Sequence, residues 1–288
     1  MLSSRPGTAL RSRVERAQCA RILREVRKRP VPHHVAIIMD GNRRFARKGG
    51  GLSTDGHLMG RDKLEEVLEW CLELGIRVLT VYAFSTENFK RDDEEVQLLM
   101  DLFERNYYRL ADDPRVHKHK IRFRTIGKKE LLPERVRAAA EHAEEVTRDH
   151  DQYHFNVAVA YGGREEILNA VRRISEEVRA GRLTTDEIDE ELFSSHLYTN
   201  ELPDPDLILR TSGEERISNF LLWQLAYSEL YFSDVFWPGL RKKEFLRAIQ
   251  AYQKRQRRFG GDTGAGVVGK NGGTVRSAVD VAEADKPH

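Results

Sequence analysis

Between residues 35 and 259 short apolar runs alternate with amphipathic stretches of helical period, and this alternation constrains the fold more than any other feature. Candidate strands cover residues 35–40 (VAIIMD), 77–84 (RVLTVYAF), 121–127, 153–161, 207–211 and 230–232. Candidate helices cover 61–74, 94–111, 133–149, 164–180 and 242–259. In the first of these, Leu64, Val67, Leu68, Cys71 and Leu72 fall on one side. Asp92 and Asp93 are suited to cap the second, and Pro133 opens the third. Apolar strands separated by helices predict an α/β fold, with a mainly parallel sheet of about six strands flanked by helices. No internal repeat is visible.

The two ends differ from this middle. Residues 1–30 carry Arg5, Arg11, Arg13, Arg16, Arg21, Arg24, Arg27, Lys28 and Arg29 against only Glu15 and Glu25. Leu10, Val14, Ala17, Ile22, Leu23 and Val26 form an imperfect apolar stripe, which suits either a packing helix or a peripheral contact with a membrane surface. Pro30 and Pro32 end this segment, so the main domain is expected over 31–260. Residues 261–288 are rich in Gly, Ala, Asp and Val without periodicity and read as a disordered tail. The net charge of +2 gives no bulk attraction for nucleic acid, so no nucleic-acid partner is expected. Cys19 and Cys71 form no CxxC pair and read as reduced thiols of a cytoplasmic protein. No apolar run approaches the roughly 20 residues that span a bilayer.

The first candidate strand runs into Asp40-Gly41-Asn42-Arg43-Arg44. In open α/β sheets ligands bind beyond the carboxyl ends of strands. Gly41 permits a tight turn whose N–H groups suit phosphate, and Arg43 and Arg44 add forked cationic donors. A carboxylate among them repels phosphate unless it holds Mg²⁺, which then holds the phosphate. From spacing alone, a turn with Asp40 as a helix cap and two surface arginines serves equally well. The pattern is neither a Walker A loop nor GxGxxG.

HVAIIMDGNRRFARK, residues 34–48, closely resembles the signature of the cis-prenyltransferases, the undecaprenyl diphosphate synthase family. Similar segments follow in the family's order: Gly56-His57, LTVYAFSTENFKR (79–91), a tract containing YGGR (157–164), RTSGEERISNFLLWQLAYSELYF (210–232), Trp237-Pro238 and RRFGG (257–261). The resemblance spans about residues 31–261. It implies an enzyme that joins isopentenyl diphosphate to an allylic diphosphate with Mg²⁺. The product would be a polyprenyl diphosphate, precursor of a glycosyl carrier lipid, growing in a hydrophobic tunnel between sheet and helices.

Residue by residue, the resemblance implies that Asp40 binds Mg²⁺ and assists departure of the allylic diphosphate. Gly41, Asn42, Arg43, Arg44 and Phe45 would cradle that group, with His57 adding a donor and Asn42 also assisting proton removal. Ser85, Glu87, Asn88, Phe89 and Arg91 would lie near the reacting carbons and the allylic diphosphate, Asn88 as a catalytic group. Spacing alone favours a capping cluster for this stretch. Arg210, Arg216 and Ser218 would hold isopentenyl diphosphate, with Glu229 supporting the metal. Arg258-Phe259-Gly260 would reach the isopentenyl site of a neighbouring subunit, which implies a homodimer, with Arg258 and Gly260 as binding residues.

The sequence departs from the family pattern in places. Ser53 stands where many relatives have Arg, after an unusual Gly49-Gly50-Gly51 run expected to be mobile, with Arg47 or Lys48 as replacements. RTSGE replaces RTGGE, so Ser212 is tolerated only if the turn needs no positive φ there. NRR is closer to archaeal and eukaryotic members, which by analogy favours a geranylgeranyl over a farnesyl primer and a product near undecaprenyl length. Non-catalytic relatives usually lose the aspartate motif or the paired arginines, and this chain keeps both.

Overall fold

A computed structural model describes residues 6–255. Helix α1 (Pro6–Val26) precedes strand β1 (His34–Ile38), followed by α2 (Asn42–Lys48), α3 (Ser53–Leu74) and β2 (Val78–Ser85). A 3₁₀ turn (Thr86–Lys90) leads to α4 (Asp93–Ala111), α5 (Pro114–Lys118) and β3 (Ile121–Ile126). Then come α6 (Glu134–Val146), β4 (Tyr153–Tyr161), α7 (Gly163–Arg179), α8 (Glu190–Ser195), β5 (Leu207–Arg210), β6 (Glu229–Phe232) and α9 (Lys242–Lys254). The Arg258 and Gly260 positions, Phe259 between them, and the tail at 261–288 lie outside the described residues.

The six strands form one sheet in the order β3-β4-β2-β1-β5-β6, and every adjacent pair is parallel. Such a sheet needs cover on both faces, and alternate residues of β1 supply each side. Val35 and Ile37 face the larger core with Phe84, Phe123 and Phe155, beneath α1, α3, α4, α6 and α9. Ala36 and Ile38 join the smaller core around Tyr82, Tyr161, Phe220 and Leu221. The chain leaves β1 toward β2 on one side and later returns to β5 on the other. The carboxyl ends of β1 and β5 therefore part at a topological switch point, where such sheets bind ligands.

Two stretches are more helical than sequence pattern indicates. Residues 42–48 form α2, where a turn was expected, and α3 starts at Ser53 rather than near 61. Gly56 and Gly60 weaken the helical signal there, because glycine is a poor helix former. Packing overrides propensity: a Cβ on Gly56 would lie 2.2 Å from the Asn42 carbonyl oxygen, so glycine lets α3 lie against α2. Gly49 to Gly51 cap α2 in a short turn, the Gly51 N–H donating to the Ala46 carbonyl at 2.9 Å. At the amino end, α1 packs on α9 through Cys19, Ile22, Leu23 and Val26. No helix among the described residues is long and apolar enough to cross a membrane.

Candidate active site

Asp40 lies two residues past β1, and its position is set from β5. The buried Thr211 hydroxyl donates to the Asp40 carbonyl at 2.8 Å, and the Asp40 N–H lies 2.9 Å from the same oxygen. Gly41 then turns the chain at φ 100°, and a Cβ there would meet Phe236 at 2.6 Å. This is a position for glycine on two counts, and it starts α2 with Asn42, Arg43 and Arg44 over the strand ends.

The Asp40 carboxylate receives Arg210 Nη2 at 2.8 Å on one oxygen and Arg44 Nη2 at 3.0 Å on the other. Burial raises its pKa, but hydrogen bonds from Arg210, Ser212 and Arg44 outweigh that and hold it below the ordinary carboxylate value. Arg210 is 3% exposed and also reaches the Ser218 hydroxyl at 2.7 Å and the Arg216 carbonyl. Glu214 bridges Arg44 at 2.9 Å and Arg216 at 2.5 Å. The loop carrying these groups is tightly bent, with Ser212, Ser218, Asn219 and Leu221 all at positive φ. Ser212 is at φ 84°, so the condition for serine to be tolerated without strain is not met.

On the other side of Asp40, Glu95 of α4 gathers three cationic or donor groups. It contacts Arg91 at 3.0 Å, His57 at 3.2 Å and Arg43 at 3.5 Å. Burial lowers the His57 pKa against the opposing pull of Glu95, so the imidazole is neutral near pH 7. Ser85, Glu87 and Asn88 follow β2. The Ser85 N–H donates to Asn88 Oδ1 at 3.0 Å, so the capping arrangement exists, and it presents these side chains to the cleft.

Together these groups surround a cleft of about 550 Å³ lined by Asp40, Asn42, Ser85, Glu87, Asn88, Arg91, Arg210, Arg216 and Ser218. A second hollow of about 340 Å³ continues over Gly41, Arg43, Arg44 and Arg47. Three buried polar atoms at this site have no hydrogen-bond partner: Asn42 Oδ1, Arg43 Nε and Arg210 Nε. Buried polar atoms are normally paired, so these mark a place for ligand.

Not every expected residue faces the cleft. Phe45 packs against Gly239, and Phe89 packs edge-on against Phe84 at 4.8 Å. Glu229 is not brought to Asp40 within the chain. It opens β6 level with Leu207, whereas Arg210 is level with Phe232, three residues on, which is about 10 Å along a strand. Its carboxylate instead binds Arg255 at 2.7 Å. Sequence reasoning missed Glu95, Glu214, Thr211 and Asn219. The spacing of Arg91 and Glu95, four apart at a helix start, was the available signal for the first. Asn219 had none: it ties the bent loop to the start of α7, accepting from the Arg164 N–H at 2.9 Å.

Beside the cleft, two apolar cavities of about 120 and 130 Å³ lie between α3 and α4 and share Leu64, Leu110 and Phe155 as walls. Guanidinium groups on both sides of one carboxylate, at a switch point and next to apolar space, suit diphosphate esters of an apolar group. A family profile described as "Putative undecaprenyl diphosphate synthase" matches residues 38–260. Tritrans,polycis-undecaprenyl-diphosphate synthase (geranylgeranyl-diphosphate specific) of Thermoplasma volcanium is 57% identical over 239 residues, 83% of this chain and 93% of that protein. The protein of the same description from Pyrococcus abyssi is 58% identical over 239 residues, 83% of this chain and 90% of its own. Lavandulyl diphosphate synthase from Lavandula x intermedia, solved with dimethylallyl diphosphate, superposes with a TM-score of 0.76 at 39% identity over 80% of this chain and 99% of its own. The chain belongs to the undecaprenyl diphosphate synthase family of cis-prenyltransferases, and it is a prenyltransferase.

Proposed function

We propose that the enzyme extends geranylgeranyl diphosphate by successive isopentenyl diphosphate units to a product of about undecaprenyl length, a glycosyl-carrier-lipid precursor. The observation that carries the primer choice is the 57–58% identity with synthases described as geranylgeranyl-diphosphate specific. In each cycle the allylic carbon–oxygen bond breaks and its electron pair leaves with pyrophosphate. The terminal alkene carbon of isopentenyl diphosphate bonds to the allylic carbon, which leaves positive charge on the methyl-bearing carbon, and a proton then leaves the methylene next to that carbon so that the new double bond forms there.

Arg43, Arg44, Arg91 and His57, with the Gly41–Asn42 backbone, would hold the allylic diphosphate, exchanging part of their present carboxylate contacts for phosphate oxygens. Arg210, Arg216 and Ser218 would hold isopentenyl diphosphate on the far side of Asp40. Ser85, Glu87 and Asn88 would face the reacting carbons, and Asn42, whose Oδ1 lies unpartnered against Gly60, would assist proton removal. Among the described residues no three His, Cys, Asp or Glu groups form a metal cage. Mg²⁺ is commonly held by one carboxylate plus substrate phosphates, and Asp40, which lines both the cleft and the hollow beside it, would be that carboxylate. Bound there, the ion would offset charge on the leaving pyrophosphate.

The two apolar cavities support a product tunnel that widens as α3 and α4 separate around the chain. Glu229 and Arg258-Phe259-Gly260 would serve the site from a second copy, making the enzyme a homodimer, and the half-exposed edge strand β6 is open to such pairing. The basic face of α1 would rest on an anionic membrane where the product leaves. Labelled isopentenyl diphosphate supplied with either primer tests the reading. Geranylgeranyl diphosphate should be used in preference to farnesyl diphosphate by tenfold or more, on the order of a well-discriminated pocket. Preference for farnesyl diphosphate would overturn the primer assignment.

A further inference from the structure

Ser212 occupies a backbone conformation that serine rarely adopts. Its φ is 84°, and Gly213 follows at φ 75°. Glycine would take this geometry without strain, and strain that persists at a site points to a use. The side chain supplies one. Ser212 is 8% exposed, and its hydroxyl accepts from Arg44 Nη2 at 2.8 Å beside the Asp40 carboxylate, whose pKa it helps to lower. A hydroxyl has one proton and two lone pairs, so it can bind a carboxylate and a guanidinium together. It is held in place by its own N–H, which donates to the Val235 carbonyl at 2.9 Å. Arg44 otherwise answers to Asp40 at 3.0 Å and to Glu214 at 2.9 Å, both charged partners that a diphosphate would compete with.

We propose that Ser212 is a positioning residue of the allylic subsite, a neutral anchor that fixes Arg44 beside Asp40 while Arg44 exchanges its charged partners for diphosphate. The inference rests on the assignment of Arg44 to the allylic diphosphate made above. It predicts a larger effect on the allylic subsite than on the other, because the hydroxyl bonds Arg44 directly whereas Arg216 is reached only through Glu214.

The test uses the full-length enzyme with Ser212→Gly and Ser212→Ala. Glycine removes the hydroxyl and relaxes the backbone, whereas alanine removes the hydroxyl and keeps the strain. Binding of geranylgeranyl thiolodiphosphate, an unreactive analogue, is titrated calorimetrically in metal-free buffer, and KM is measured for each substrate. Both variants should bind the analogue about tenfold more weakly, the scale of one hydrogen bond to a charged group. KM for isopentenyl diphosphate should stay within about twofold. In an Arg44→Ala background, Ser212→Ala should add nothing further. Wild-type affinity in either variant, equal losses at both subsites, or full additivity with Arg44→Ala would overturn the proposal. A wild-type enzyme that binds no analogue would overturn the allylic assignment itself, whereas a wild type that binds with unchanged variants would overturn Ser212 alone.

Discussion

His34 opens β1 almost without exposure, at 1%. Its Nδ1–H donates to the Pro203 carbonyl at 2.7 Å, and its Nε2 accepts from Thr80, which in turn accepts from Asn156. This chain of bonds needs neutral imidazole, and burial pushes the pKa down to about 4. In the unfolded chain the same group titrates near the ordinary value of about 6.5. Between those values the unfolded state binds the extra proton, so folding stability falls as pH drops from about 6.5 to 4 and is flat above. The full loss is roughly 3 kcal/mol. Denaturant unfolding across this window should show the decline, and a His34→Gln variant should flatten it. An unchanged slope in the variant would assign the decline to other groups. Asp40 acts in the same direction but at lower pH. Its lowered pKa keeps it ionised throughout this range, so its contribution is present above the unfolded value and is lost only as pH falls through the lowered one.

At the scale of elements, the site depends on how closely α2 and α3 approach. Gly56→Ala would set a methyl 2.2 Å from the Asn42 carbonyl, so the helices must part. A loss of about 2 kcal/mol or more is expected in denaturant unfolding, with weaker allylic binding because α2 carries Arg43 and Arg44. The strands were readable from sequence because a doubly covered parallel sheet makes them apolar throughout, and β4 matches residue for residue. The α2 segment and the start of α3 were hidden because glycines at 41, 49–51, 56 and 60 carry turn and breaker signals while serving close packing. Most cleft residues were readable through long motifs. Glu229 shows the limit of that route: the motif groups it with Arg210, but it comes just before the candidate strand 230–232 and so opens at the amino end, away from Arg210. Glu95 was hidden for another reason, since an acid in a helix's first turn usually faces water.

For the whole molecule, the switch point between β1 and β5 gathers charge at the strand ends, and the α3–α4 layer offers apolar space beside it. Phe155 is 4% exposed and stands in the shared wall of the two cavities. Phe155→Ala should join them and lengthen the product by one or more isoprene units, read by mass spectrometry of the dephosphorylated lipid, at a stability cost of about 3–5 kcal/mol. An unchanged length distribution would place the limit elsewhere. In the proposed function Asp40, set between the two diphosphate pockets, drives departure of the allylic group. The direct measurement is incorporation of labelled isopentenyl diphosphate onto geranylgeranyl diphosphate with Mg²⁺, by wild type and by Asp40→Asn. Mg²⁺-dependent polyprenyl product is expected from wild type, with a fall of about 10²–10³ or more in rate for a variant that remains folded. Equal rates from the two proteins would contradict this role of Asp40.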